Sequence, residues 1–120
     1  MRLAIFGSRT LTGPAAIQAV IDGIIRNQPT AIVTAGEPAG VCSVAQEAAR
    51  LYCIPLTLHW LDKKHRCAGA WHHRSKNVLR DCEAVLIVHD GKSKGTANEK
   101  TLAEKMGVRV DYVICEANHE

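Results

Sequence analysis

The stretch Val85-Leu86-Ile87-Val88-His89-Asp90-Gly91-Lys92-Ser93-Lys94-Gly95-Thr96-Ala97-Asn98-Glu99 decides the fold. Its four consecutive branched apolar residues form a strand buried on both faces, and the glycine-bracketed loop behind them runs into a helix. A strand, such a loop and a helix N-terminus in succession aim backbone N–H groups at an anion. Lys92 and Lys94 add positive charge beside Gly91, Ser93, Gly95 and Thr96. The plainer alternative is an ordinary surface turn between strand and helix.

Working outward, the same alternation recurs. Arg2 to Phe6 is a short strand closed by Gly7-Ser8-Arg9, with Thr12 as a candidate cap and Pro14 in a first helical turn. Ile17, Val20, Ile21, Ile24 and Ile25 then mark a helix over about residues 14–27, ended by Asn27-Gln28-Pro29. Ala31 to Thr34 is a second buried strand, followed by the glycine-rich loop from Gly36 to Gly40 and a helical face of Val41, Val44, Ala45, Ala48, Ala49 and Tyr52. Ile54 to Leu58 is a third strand, whose Pro55 suits a strand start or a sheet edge. After a polar, basic connection at 59–67 come a helix over about 69–80 and a fourth strand at 83–88. A helix from about 97 to Met106, capped by Gly107, leads to a last strand over Val108–Ile114 and a short tail.

Five alternations with continuous apolar strands predict an α/β fold: a three-layer, Rossmann-like, doubly wound parallel sheet. Right-handed crossovers give the strand order 3-2-1-4-5. Winding then reverses between strands one and four, where open sheets of this kind bind ligands. The loops at that reversal are Gly7-Ser8-Arg9 and Asp90 to Thr96. The first offers a backbone approach, a hydroxyl and a guanidinium whose planar fork suits phosphate. Neither glycine-rich loop has the G-x-x-x-x-G-K-[ST] pattern, which disfavours ATPase chemistry.

The 120 residues, 47 % hydrophobic and 22 % charged, predict a single globular domain over 1–120. No apolar run reaches the roughly 18 residues needed to span a bilayer, so no membrane partner is expected. The start of the chain reads as a strand and not a secretory signal, which with five scattered cysteines leads to an expected cytoplasmic address. A net charge of +3 without a dense basic stripe makes nucleic acid an unexpected partner.

Together, Gly7-Ser8-Arg9, Gly36-x3-Gly40-Val41 with Ala45 and Ala48-Ala49, and Asp90-Gly-Lys-Ser-Lys-Gly-Thr96-Ala-Asn98 resemble the DUF2493 (YspA-like) branch of the SLOG superfamily. That superfamily also holds the LOG-type nucleotide phosphoribohydrolases and the DprA-like proteins. The resemblance covers nearly the whole chain, and the Asp-Gly-Lys-Ser-x-Gly-Thr element is its most specific part. It implies a Rossmann-like fold that binds a nucleotide or nucleotide-derived phosphate ligand, with Gly7, Ser8, Arg9, Gly36, Gly40, Gly91, Ser93, Lys94, Gly95 and Thr96 as the binding residues. Two departures stand out. Cys42 takes the place of an aspartate that usually closes the second loop, and Ala70-Trp71-His72-His73-Arg74-Ser75 keeps the arginine but not the asparagine of Ala-Gly-Pro-x-Arg-Asn.

A leaning toward the LOG-type enzymes comes from Arg74 and from Gly95-Thr96-x-x-Glu99. These match their arginine before strand four and their Gly-Thr-x-x-Glu, although the Pro-Gly-Gly is missing. The catalytic alternative gives Arg74, near a helix N-terminus, the 5′-phosphate. Glu99 then orients water or steadies positive charge at the ribose C1′ as the N-glycosidic bond breaks. The structural alternatives make Thr96-x-x-Glu99 a capping box and Arg74 a surface or ion-pair residue.

No metal or cofactor is expected, because His59, His65, Cys67, His72, His73 and Cys82 lack the spacing of a zinc site. Cys42 and Cys67 read as structural thiols without a base partner. Trp60 and Trp71 flank this region, and one of them can cover a base in the pocket or bury against a second copy in a homodimer. The basic run Lys63-Lys64-His65-Arg66 is the only local support for a DprA-like role in handling nucleic acid.

Overall fold

A computed structural model describes residues 1–60 and 68–115 of the chain, with the backbone alone at 68–70. Its elements run β1 (Arg2–Gly7), α1 (Pro14–Asn27), β2 (Ala31–Ala35), α2 (Gly40–Leu51), β3 (Leu56–His59), α3 (Ala68–Arg80), β4 (Ala84–His89), α4 (Lys94–Lys105) and β5 (Arg109–Ile114). The five strands form one sheet in the order β3-β2-β1-β4-β5, parallel at every pairing, as expected from the alternation.

Side chains that alternate along the central strands feed two separate cores. Leu3, Ile5, Leu86 and Val88 pack with Ala16, Val20 and Ile24 of α1 and Val41, Ala45 and Ala49 of α2. Ala4, Phe6, Val85 and Ile87 pack on the other side with Val78 and Leu79 of α3 and Ala103 of α4. Burial on both faces is why β1, β2 and β4 read as unbroken apolar runs, whereas the edge strand β5 does not. At the β3 edge Pro55 sits just before the strand, where its carbonyl still accepts from Ile32 N at 2.8 Å while its missing N–H costs nothing.

Three boundaries differ from the sequence reading. Gly13, in extended conformation, precedes α1 without a side-chain cap, so Thr12 does not cap it. The third strand begins at Leu56, two residues later than expected. The largest difference is α4, which starts at Lys94 and not near 97. Its N-cap is Ser93, whose Oγ accepts from Thr96 N at 3.4 Å and from Thr96 Oγ1 at 3.3 Å. Thr96-x-x-Glu99 therefore lies inside the helix and forms no capping box. Ser93→Ala is expected to cost about 1 kcal/mol in denaturant unfolding, the usual worth of a serine N-cap; an unchanged midpoint would show that water replaces the hydroxyl.

Gly7 and His89 end the two central strands side by side, with Gly7 in register with Val88. The loops after β1 and β4 thus leave the same end of the sheet at the point where winding reverses. Gly40 brings α2 to the same place. It has φ +72°, and a Cβ there would lie 2.4 Å from Arg9 Cα and 2.6 Å from Ser8 O, so only glycine lets α2 begin against the β1–α1 loop.

No helix among the described residues is long and apolar enough to cross a membrane. The basic run 63–66, His65 and Cys67 lie outside the described residues. Among those that are described, no group of three His, Cys, Asp or Glu side chains could hold a metal ion.

Candidate functional site

A cavity of about 480 Å3 opens at this end of the sheet, lined among others by Gly7, Ser8 and Arg9 after β1, by Ser93, Gly95 and Thr96 at the start of α4, and by Arg74 and Glu99. Its size is that of a small-ligand pocket.

The joint between the two loops is a hydroxyl ladder. Ser8 is 1 % exposed and Thr96 2 %, and their hydroxyl oxygens lie 3.4 Å apart. Ser8 Oγ also accepts from Asp90 N at 3.1 Å. Asp90 then folds the β4–α4 loop on itself: its Oδ1 accepts from Lys92 N and Ser93 N, both at 2.8 Å, and its Oδ2 accepts from Thr10 Oγ1 at 3.1 Å. The Lys92 amide is the strongest of these influences. Helped by the Ser93 amide and Thr10 and opposed by desolvation, it holds the Asp90 carboxyl down at about 2. Below the loop, His89 Nε2 donates to the Ser93 carbonyl at 2.9 Å, and its Nδ1 lies 2.6 Å from the Tyr112 hydroxyl. The loop is thus tied down from the end of β1, from β4 and from β5, and the first turn of α4, with Gly95 and Thr96, lines the cavity.

The opposite wall is a charge cluster. Arg74 stands in the middle of α3, not near a helix N-terminus, and is 8 % exposed. Its Nη1 meets Glu37 Oε1 at 2.9 Å, and Arg9 Nη2 reaches the same oxygen at 3.2 Å. Arg74 is therefore an ion-pair residue, buried and not at the surface. Both guanidinium groups stack on Trp71, with Arg9 Cζ 4.3 Å and Arg74 Cζ 4.7 Å from the ring centroid. The indole engages two cations here; Trp60 instead lies over Gly36 and is exposed.

Glu99 completes this wall. Its Oε2 accepts from Ser75 Oγ at 3.3 Å. Burial pushes its carboxyl up to about 7; Ser75, Arg74 and Arg9 pull it down and Glu37 pushes it further up. Cys42 also lines the cavity, and burial raises its thiol despite a hydrogen bond with Thr34.

Of the residues singled out from sequence, Gly7, Ser8, Arg9, Arg74, Ser93, Gly95, Thr96 and Glu99 meet at this cavity. Gly36, Gly40, Gly91 and Lys94 are not among its lining residues. Gly36 is under Trp60, Gly40 supports the Ser8–Arg9 backbone from behind, Gly91 turns the loop at φ +83°, and Lys94 is exposed together with Lys92. Glu37, Ser75 and Asn98 line the cavity although the sequence reading gave none of them a place in it, and Trp71, one of the two tryptophans it offered for covering a base, lines it too. The one available signal for Glu37 was a lone carboxylate inside a loop otherwise suited to anions. Compared with known proteins, the chain matches no family model and no curated protein.

Proposed function

We propose that this chain is an SLOG-like, Rossmann-type domain that binds a nucleotide, or another phosphate-bearing ligand derived from one, in the cavity between β1 and β4. The observation that carries this reading is the meeting of the two loops, with Ser8 and Thr96 within 3.4 Å of each other beside the open N-terminus of α4. The phosphate sits at Gly95 in the first turn of α4, where the helix dipole favours negative charge. The hydroxyls of Ser8, Ser93 and Thr96 lie alongside, and that of Ser93, which accepts from Thr96, donates to its oxygens. Asp90 stays ionised, and its charge is partly offset by the Lys92 and Ser93 amides and the Thr10 hydroxyl that its oxygens accept from. The ribose and base extend toward Asn98, Ser75 and Glu99.

Calorimetry against a panel of nucleoside phosphates, ribose 5-phosphate and inorganic phosphate tests this. Binding of at least one phosphorylated ligand at micromolar concentration is expected. Failure of all of them to bind below millimolar would overturn the reading.

The place of Glu99 favours a second reading, hydrolysis of a nucleoside 5′-monophosphate to free base and ribose 5-phosphate. A carboxyl near neutrality can protonate the leaving base, and once ionised it can steady positive charge at C1′ or orient the attacking water. Incubation with nucleoside monophosphates followed by chromatography decides it. Base release by the wild type and not by Glu99→Gln supports it, and equally negligible release by both excludes it.

A further inference from the structure

We propose that Glu37 is a positioning residue for Glu99: by holding Arg9 and Arg74 on a single carboxylate oxygen, it turns Arg74 away from Glu99 and decides which carboxyl of the cavity that guanidinium serves. The inference rests on the reading above only in taking this cavity as the place where a ligand meets Glu99.

Arg74 is more than nine-tenths buried, and its Nε has no hydrogen-bond partner among the described residues. A buried guanidinium with an idle donor is an unusual expense of desolvation, since such groups are normally bonded at every edge. Three carboxylates line its cavity, Glu37, Asp90 and Glu99, and among the described residues only Glu37 takes the direct contact. Glu37 is itself fixed from three directions. Arg9 binds it from the β1–α1 loop, Arg74 from α3, and Gln46 of α2 donates to its own backbone carbonyl at 2.9 Å. Glu99 is left with the neutral Ser75 hydroxyl.

The charged and titratable groups around Glu99 make the outcome legible. From α3 come Arg74 and His72, from α2 Cys42, from the two loops Arg9 and Glu37, and from the β4–α4 loop Asp90. The two arginines are offset by Glu37 and not by Glu99. The carboxyl facing the ligand can therefore hold a proton near neutral pH, although a cation lies in the same wall. The arrangement also explains why Glu37 belongs in a cavity otherwise suited to anions.

The test is the titration midpoint of the Glu99 carboxyl, followed by carbon NMR in the ligand-free protein. Four forms are compared: wild type, Glu37→Gln, Arg74→Gln and the double variant. Glu37→Gln is expected to lower the Glu99 midpoint by about one pH unit or more, tenfold in proton affinity, as Arg74 turns to its remaining carboxylate. In the Arg74→Gln background the same change is expected to move the midpoint by less than half as much, because the effect runs through Arg74. An equal drop in both backgrounds would mean that Glu37 acts only through its own charge, and no drop in either would mean no coupling; either result overturns the proposal. Should Glu37→Gln fail to fold, Glu37→Asp takes its place in the cycle, with a smaller drop of the same sign expected and the same two overturning results. Because no ligand is present, this outcome is independent of whether any nucleotide binds.

Discussion

Gly95→Asp is expected to lower the affinity for a phosphorylated ligand by about 100-fold or more, some 2.7 kcal/mol, and to leave the fold intact. Gly95 is the second residue of α4 and lines the cavity, and a Cβ added to it meets nothing within 4 Å. Introducing a Cβ there brings no clash. A carboxylate in the first turn of a helix even adds a few tenths of a kcal/mol through the dipole. It does so by occupying the place and the field proposed for the phosphate, so binding and stability move in opposite directions. Parallel thermal melts and calorimetry read both quantities. A variant that melts like the wild type and still binds would put the phosphate elsewhere. Lys94→Ala is the matching control: that side chain is exposed and outside the lining, so its loss is expected to change affinity only a fewfold.

Glu99→Gln is expected to stabilise the protein at pH 8 by an amount on the order of 2–3 kcal/mol, and to change it little at pH 5. The folded carboxyl stands at about 7, above its ordinary 4.5, because burial disfavours the charge. The folded chain thus binds this proton more tightly than the unfolded one. The stability that the proton confers is complete below about 4.5 and is lost as pH rises through 7. Glutamine keeps the neutral shape at every pH and is spared that loss. For a chain of this size the difference corresponds to roughly 10 °C in melting temperature at pH 8. Asp90 does not confuse the comparison. With its carboxyl held at about 2 against an ordinary 3.8, its contribution is complete above 3.8 and disappears only as pH falls toward 2. Melting curves of both proteins at pH 5 and pH 8 decide the matter, and a pH-independent difference between them would place Glu99 outside the buried wall.

The architecture was legible because its physics is local and repeated. Leu3-Ala4-Ile5-Phe6 and Val85-Leu86-Ile87-Val88 are apolar without alternation, which only a sheet covered on both faces allows. Once the strands are parallel, the handedness of the crossovers fixes their order. The start of α4 was hidden for an equally physical reason. Gly95 has weak helix propensity and the first turn has no apolar periodicity, so the helix begins on the strength of the Ser93 cap and not on any pattern of its own. Reading Thr96 as the cap then made Glu99 a capping partner, whereas the true register turns it into the cavity wall. Glu37 was beyond reach of spacing arguments altogether. Nothing within a loop between Gly36 and Pro38 announces that its carboxylate meets an arginine from a helix on the far side of the sequence, and only the fold brings α3 over that loop.

The most direct test of the account is a backbone amide NMR titration of the protein with a nucleoside 5′-monophosphate and with ribose 5-phosphate. The account predicts that the largest shifts fall on Ser8, Gly95 and Thr96 for both ligands. The larger ligand is expected to add Trp71, Ser75 and Glu99. Shifts centred instead on the ionic cluster of Arg2, His59 and Asp81 beside β3, with the start of α4 unmoved, would contradict it.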